Sequence, residues 1–496
     1  MRKSGILMPV FSLPGAYGIG CFSESARRFV DFLADAGQSY WQILPVGPTG
    51  YGDSPYQSFS TFAGNPYFIS LERLMEKGLL ERTELNTLDF GDDAEAVDYG
   101  AMYRSRLAAL RTAYRRSAFR TEAAFQTFVG ENRFWLEDYA LFMAVKDSFG
   151  GRSMHEWPED IRAHRPEAVA EYRERFRDEM MFYEFLQYEF FAEWQELRAY
   201  AASRKIQIIG DIPIYVSSDS ADFWAHRELF QTDAEGQPTA VAGCPPDGFS
   251  ATGQLWGNPL YRWPYHKETG FAWWITRIGR MRDLYDVIRI DHFRGFDEYF
   301  SVPAGAPDAS GGHWEKGPGM DLFRAIGERY PGIRIIAEDL GYVTDTVRRL
   351  VRDSGFPNMK VLEFAFDSRD SSGKQDYLPY NYNRNCVVYT GTHDNETLAG
   401  WLGSILPEER RDLKDYLGTE SDDPAVLVDL VIRMALSSCA DTAVIPMQDY
   451  LGLDNRARIN QPSTFGTNWR WRVREDALTP ELAARIRKLT VVYGRS

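Results

Sequence analysis

Short apolar runs recur along the chain, each closed by a polar or glycine-rich bend and then, in most cases, by a helical spacing of apolar positions. The runs lie at 40–46, 206–216, 287–290, 333–337, 359–364, 387–389 and 443–446. Near-continuous apolar strands joined by helices are what a parallel sheet covered on both faces requires, because neither face meets water. Ahead of the 206–216 run, Phe182, Leu186, Phe190, Trp194, Leu197 and Ala201 fall on one helical face at spacings of three and four. Alternation of this kind over 496 residues predicts an α/β fold, a (β/α)8 TIM barrel.

The barrel is interrupted in sequence. Residues 80–205 are helical and charge-rich with little strand character, including helical patterns at 99–117 and 123–148, and read as an insertion covering one side of a single catalytic barrel that spans 1–496. A second stretch, 232–263, is rich in Gly, Pro and Trp and reads as an irregular active-site loop insertion. There is no internal repeat and no low-complexity tract.

Composition narrows the function. Hydrophobic residues make up 44% and charged residues 26% of the chain, which excludes disorder, collagen and coiled coil. The 56 Lys and Arg against 71 Asp and Glu leave a formal charge of −15, which repels phosphate backbones and anionic lipid, so neither nucleic acid nor membrane is expected as a partner. Aromatic residues reach 14%; most fill the core, but flat apolar faces with polar edges also suit sugar rings. The four cysteines, Cys21, Cys244, Cys386 and Cys439, form no C-x-x-C pair, and a reducing compartment is the simpler expectation. Arg2 and Lys3 precede an apolar stretch that mimics a secretory leader, yet Pro9, Pro14, Gly15, Gly18 and Gly20 break it, and no segment approaches 18 apolar residues. A cytoplasmic location is predicted.

Barrel enzymes carry their chemistry at the C-terminal ends of strands. Four run ends bear carboxylates: Gly210-Asp211-Ile212-Pro213, Arg289-Ile290-Asp291-His292, Ala337-Glu338-Asp339 and Thr392-His393-Asp394-Asn395. Singly, each also suits a helix cap. Jointly they do more, since period-2 alternation puts Arg289 and Asp291 on one side of their strand, where the guanidinium would keep the carboxylate ionised. An ionised Asp facing a Glu on the next strand, in an aromatic pocket, is the arrangement of glycoside chemistry. Asp291 would attack the anomeric carbon, and Glu338, held protonated by the nearby negative charge, would protonate the departing oxygen. Asp394 would bind sugar hydroxyls as charge develops on the ring, with His292 and His393 also on hydroxyls. The chain has no G-x-G-x-x-G, P-loop, G-x-S-x-G or H-E-x-x-H motif, and its seven histidines include no ligand-spaced pair, so neither a metal nor an organic cofactor is expected.

The ordered set Asp211, Arg289/Asp291, Glu338 and His393/Asp394 resembles the four signature regions of the alpha-amylase superfamily, which end barrel strands three, four, five and seven. Three longer stretches narrow this to a resemblance to the amylomaltase, or 4-alpha-glucanotransferase, family: Gly50 to Gln57 with Ala63-Gly64-Asn65-Pro66, Gly210 to Trp224, and Pro245-Pro246-Asp247 through Gln254-Leu255-Trp256-Gly257-Asn258-Pro259. The resemblance extends from Gly5 to Trp471. It implies Asp291 as nucleophile, Glu338 as acid/base and Asp394 as transition-state stabiliser. It further implies Arg289, His292 and His393 in the donor site, Tyr56, Asp247, Gln254, Trp256 and Asn460 against glucan with Ser54 nearby, and a loop around Phe249 that closes over the substrate. No separate C-terminal β-domain is implied. Two positions depart from the family pattern: Gly248 stands where some members carry a bulky aromatic, and Ser463 replaces a glycine common after Asn-x-Pro.

The expected activity is transfer of α-1,4-glucan segments between maltodextrins with retention, on maltooligosaccharides and starch- or glycogen-derived glucans, with glucose as an acceptor. The rivals are an α-glucan hydrolase of the same superfamily and a non-catalytic glucan-binding barrel.

Overall fold

The computed structural model describes residues 2–496 except Tyr51, 247–250, Tyr342 and 369–373. Its strands are β1 (Lys3–Leu7), β2 (Tyr40–Gln42), β3 (Gln207–Pro213), β4 (Ala240–Cys244), β5 (Gln254–Pro259), β6 (Val287–Asp291), β7 (Glu298–Pro303), β8 (His313–Lys316), β9 (Ile335–Ala337), β10 (Asn358–Val361), β11 (Cys386–Tyr389) and β12 (Thr442–Pro446). Eight of them close into a parallel barrel in the order β1, β2, β3, β6, β9, β10, β11, β12 and back to β1. This is the expected (β/α)8 architecture.

Side chains from all eight strands fill the barrel: Leu7, Tyr40, Ile209, Val287, Ile336, Met359, Val361, Val387, Tyr389 and Val444 form one buried cluster. The barrel is therefore a packed core rather than a pore. A larger apolar layer lies between the strands and the surrounding helices. The helical stripe Phe182 to Ala201 is buried in full on the helix Arg177–Ser203, which packs just ahead of β3. That helix and two others, Tyr99–Arg116 and Ala123–Ser148, lie between β2 and β3. The chain ends in a helix, Pro480–Val492.

Three readings are corrected. The apolar run pattern misses β1, because its five residues sit inside the proline- and glycine-broken N-terminal stretch; Gly5 lets β1 approach β2, since a Cβ there would lie 2.5 Å from Tyr40 Cβ. The runs at 40–46, 206–216 and 359–364 overshoot their strands at one or both ends; residues Leu362–Phe366, for instance, turn into a 3-10 segment. The 232–263 stretch is not irregular throughout its described residues. It carries β4 and β5, which join β7 and β8 in a four-stranded antiparallel sheet of order β5-β4-β7-β8. The partners of β4 flank it in the sheet but both lie downstream in sequence, β7 about sixty residues on, and such non-local pairing leaves little trace in a local pattern. Among the described residues no helix is long and apolar enough to cross a membrane.

Candidate active site

Register brings the polar residues together at the C-terminal rim. On the parallel pair β3 and β6, Asp211 stands opposite Arg289 and Pro213 opposite Asp291. On β6 and β9, Ile290 stands opposite Ala337, so Asp291 and Glu338 are the next residues on strands about 4.8 Å apart. Arg289 Nη1 donates to Asp211 Oδ2 at 2.5 Å and lies 3.1 Å from Asp291 Oδ1. The sequence pairing of Arg289 with Asp291 is therefore present, and a second carboxylate, fully buried, shares the same guanidinium nitrogen.

Glu338 is fixed by the backbone. The N–H of His292 donates to its Oε2 at 2.6 Å, and the N–H of Leu340 donates to its Oε1 at 2.9 Å. His292 reaches that position because it adopts a left-handed conformation, φ 53°, immediately after β6. Asp339 turns its carboxylate to the neighbouring strand instead, accepting from Met359 N–H and Asn358 Nδ2 at 3.0 and 3.3 Å.

Enclosure in the cleft pushes the Asp291 carboxyl well above the usual carboxylate range; Arg289 opposes the rise, and the charge of Glu338 adds to it. Burial raises Glu338 too, against Arg289 and its two backbone donors. Enclosure thus outweighs the guanidinium, contrary to the expectation that Arg289 keeps Asp291 ionised, and the two neighbouring carboxyls titrate as a pair. The N–H bonds on Glu338 stabilise its anion, an effect that residue order alone does not reveal. The His292 imidazole is pushed down to about 3 by burial and then by Arg294, so the ring is neutral near pH 7.

Asp394 follows β11. Its Oδ1 accepts from Asn460 Nδ2 at 2.7 Å, and its Oδ2 lies 3.3 Å from His393 Nε2, while 44% of the side chain remains accessible. Arg458 Nη2 donates to the Asp394 carbonyl at 2.8 Å, and Asn460 N–H donates to the His393 carbonyl at 3.1 Å. Asn460, predicted as a glucan contact, thus also holds a candidate catalytic carboxylate. Ser463, in the loop that follows, has φ 64°, a left-handed conformation that glycine adopts at lower cost.

Aromatic rings wall the cleft. Tyr56 donates its hydroxyl to Asp211 Oδ2 at 2.8 Å and lies flat against His393, centroids 5.2 Å apart and planes 14° apart. Burial and the adjacent Asp211 push the phenol well up, so it stays a neutral donor. Ser54 accepts from Tyr56 N–H at 3.3 Å and shapes the turn that presents the ring. Across the cleft, Trp256 on β5 meets His292 edge to face at 4.8 Å and donates Nε1 to Gln254 Oε1 at 3.1 Å. Asp247, Gly248 and Phe249 lie outside the described residues.

Three participants escaped sequence reading. Trp469 packs beside Tyr56 and His393 at 5.8 and 6.0 Å, and Tyr215 lies 6.5 Å from Trp256 and 6.4 Å from His292. Arg458 is the third. None ends a strand, so a search of strand ends passes over them; the signal in Trp469 is its left-handed φ of 63°, which only the structure exposes. The helical region also reaches the cleft, since Tyr99 Oη donates to the Trp469 carbonyl at 2.8 Å.

A family model described as 4-alpha-glucanotransferase matches residues 8–479. A 4-alpha-glucanotransferase of Clostridium butyricum is 48% identical over 492 residues, covering 98% of this chain and 100% of that one. One from Thermus thermophilus is 45% identical over 509 residues, covering 100% and 99%. The solved amylomaltase from Streptococcus agalactiae in complex with acarbose superposes with a TM-score of 0.96 at 41% identity, covering 100% of both chains.

Proposed function

The chain belongs to the 4-alpha-glucanotransferase family, and from that premise we propose that Asp291, Glu338 and Asp394 carry its reaction as nucleophile, acid/base and transition-state stabiliser. The protein transfers α-1,4-glucan segments between maltodextrins, with maltooligosaccharides and longer α-1,4-glucans as donors and glucose among its acceptors.

The observation that carries the residue roles is the arrangement around Arg289. One buried guanidinium lies against Asp291, and Glu338 is the next carboxyl along the rim. Asp291 Oδ attacks the anomeric carbon of the donor as the glycosidic bond breaks, and Glu338 gives its proton to the departing 4-oxygen. Forming the ester removes the negative charge of Asp291, which lowers the proton affinity of Glu338, so Glu338, its proton already given up, stays ionised and is ready as a base. It then takes the proton of the acceptor's 4-hydroxyl, whose oxygen displaces Asp291 with overall retention. Asp394, oriented by Asn460 and His393, stabilises the positive charge that builds on the ring. Tyr56 and Trp256 offer flat faces to sugar rings, with Ser54, Gln254, His292 and His393 as polar neighbours, while the fully buried Asp211 acts through Arg289 and Tyr56.

We further propose that residues 80–205 and 232–263 are insertions of a single catalytic barrel rather than independent domains, in keeping with the contact of Tyr99 with Trp469 and of Trp256 with His292. Asp247 and the loop around Phe249 are assigned to glucan contact on sequence resemblance. A cytoplasmic setting fits Cys21, Cys386 and Cys439, which are free thiols.

The test is product analysis after incubation with pure maltotriose. Transfer yields glucose plus a ladder of longer maltodextrins while total reducing ends stay nearly constant. Shorter sugars alone, with reducing ends rising in step, identify a hydrolase, and binding without turnover leaves a glucan-binding barrel.

A further inference from the structure

Behind the turn that carries His393 and Asp394 lies a carboxyl group that the mechanism does not use. Glu363 follows β10 and is 5% exposed. Its Oε1 is buried without a hydrogen-bond partner. It sits against Gly391, where an added Cβ would lie 2.6 Å from that oxygen, so the absence of a side chain at 391 makes the recess that Glu363 fills. The turn beyond Gly391 is closed by Asn395, whose Oδ1 accepts from Thr392 N–H at 2.9 Å and Thr392 Oγ1 at 2.8 Å, while Thr392 Oγ1 also receives the N–H of Asp394 at 3.3 Å.

We propose that Glu363 is a positioning residue for Asp394: its carboxyl occupies the recess behind Gly391 and props the Thr392–Asn395 turn from beneath. The inference rests on the role assigned to Asp394 above. The charged groups that face Glu363 are Asp449 in the short helix Met447–Leu451 that follows β12, Glu396 beyond the turn, and Arg458; the two acids outweigh the one cation, and burial disfavours a further charge. Burial first, then the charges of Asp449 and Glu396, push its pKa well up, against the Asn395 side chain and Arg458. Glu363 therefore serves as a neutral acid, a polar wedge of fixed shape, and its unpartnered oxygen is the cost of fitting that shape against a glycine.

A neutral wedge is replaceable by an amide of the same outline and not by a smaller side chain. Glu363→Gln should keep kcat on maltotriose within roughly threefold of wild type, and Glu363→Ala should lower kcat roughly 10–100-fold with KM little changed, as expected when a transition-state group is displaced by a fraction of an ångström. The thermal midpoint supplies a second measurement that does not depend on turnover. The folded state holds the Glu363 proton more tightly than the unfolded chain, so wild-type stability falls as pH rises above the unfolded carboxyl value, while the Gln variant escapes that loss. The Tm gap in favour of Glu363→Gln should therefore widen from pH 5 to pH 8. A Gln variant as impaired as the Ala variant, or a gap that does not widen, overturns the neutral-wedge assignment; an Ala variant with wild-type kcat overturns positioning altogether. Wild-type protein that makes no ladder from maltotriose would instead defeat the functional reading and leave the Tm comparison standing.

Discussion

Arg289 and Asp211 form a buried ion pair, Nη1 to Oδ2 at 2.5 Å, set by their opposition on neighbouring parallel strands. Asp211 thus reaches the reacting centre through Arg289, whose same nitrogen lies 3.1 Å from Asp291. Asp211→Asn keeps the outline and removes the charge. It leaves a buried guanidinium with one carboxylate, Asp291, and should destabilise the fold by on the order of 3 kcal/mol. Urea denaturation measures this, and a loss below about 1 kcal/mol would show that Asp291 alone neutralises Arg289.

The roles of the two rim carboxyls separate on a substrate whose leaving group needs no proton. Glu338→Gln should lose turnover of maltodextrins yet still form glycosyl-enzyme from α-glucosyl fluoride, detectable by mass spectrometry. Asp291→Asn should form none. If both variants are equally inert on the fluoride, the assignment of acid and nucleophile falls.

His266 offers a pH test away from the cleft. It is fully buried among Tyr261, Trp263 and Trp273, with Nε2 3.1 Å from the Leu229 carbonyl. Burial pushes its pKa down to about 4, so the folded protein binds this proton more weakly than the unfolded chain does. The stability it permits is complete above the unfolded value near 6.5 and is lost as pH falls toward 4, by about 3 kcal/mol in all. His266→Gln should flatten the stability profile across that window in denaturation experiments at pH 4 to 7, and an unchanged slope would rule His266 out as its source.

The barrel and its rim carboxylates were legible because both follow from local rules. Buried parallel strands must be apolar throughout, and period-2 alternation fixes which of Arg289 and Asp291 share a side. What stayed hidden depends on long-range pairing. β4 and β7 find each other only in the folded chain, and β1 lies at the head of a stretch broken by proline and glycine, which keeps it from standing out. The double duty of Arg289 needs the β3–β6 register, and the support of Asp394 needs Asn460 and Arg458 to return from more than sixty residues away. The two N–H donors on Glu338 arise from backbone conformations at His292 and Leu340 that side-chain identity does not encode.

Trp256 lets the transfer step be tested apart from the first displacement. A covalent intermediate on Asp291 faces water at about 55 M, so a sugar acceptor wins only if the cleft binds and orients it. Trp256 comes from β5, outside the barrel, and its ring is held by Gln254 and against His292 beside the acid/base. It touches none of the three carboxylates through a hydrogen bond. Trp256→Ala should therefore leave glycosyl-enzyme formation from α-glucosyl fluoride within a fewfold of wild type, while roughly 1–2 kcal/mol of stacking on the acceptor is lost. The acceptor concentration needed for half-maximal transfer should then rise about tenfold, and reducing ends should accumulate from maltotriose where wild type keeps them constant. Equal losses in glycosylation and transfer would instead show that Trp256 supports the reacting centre through His292, and an unaltered ladder would remove it from the acceptor site.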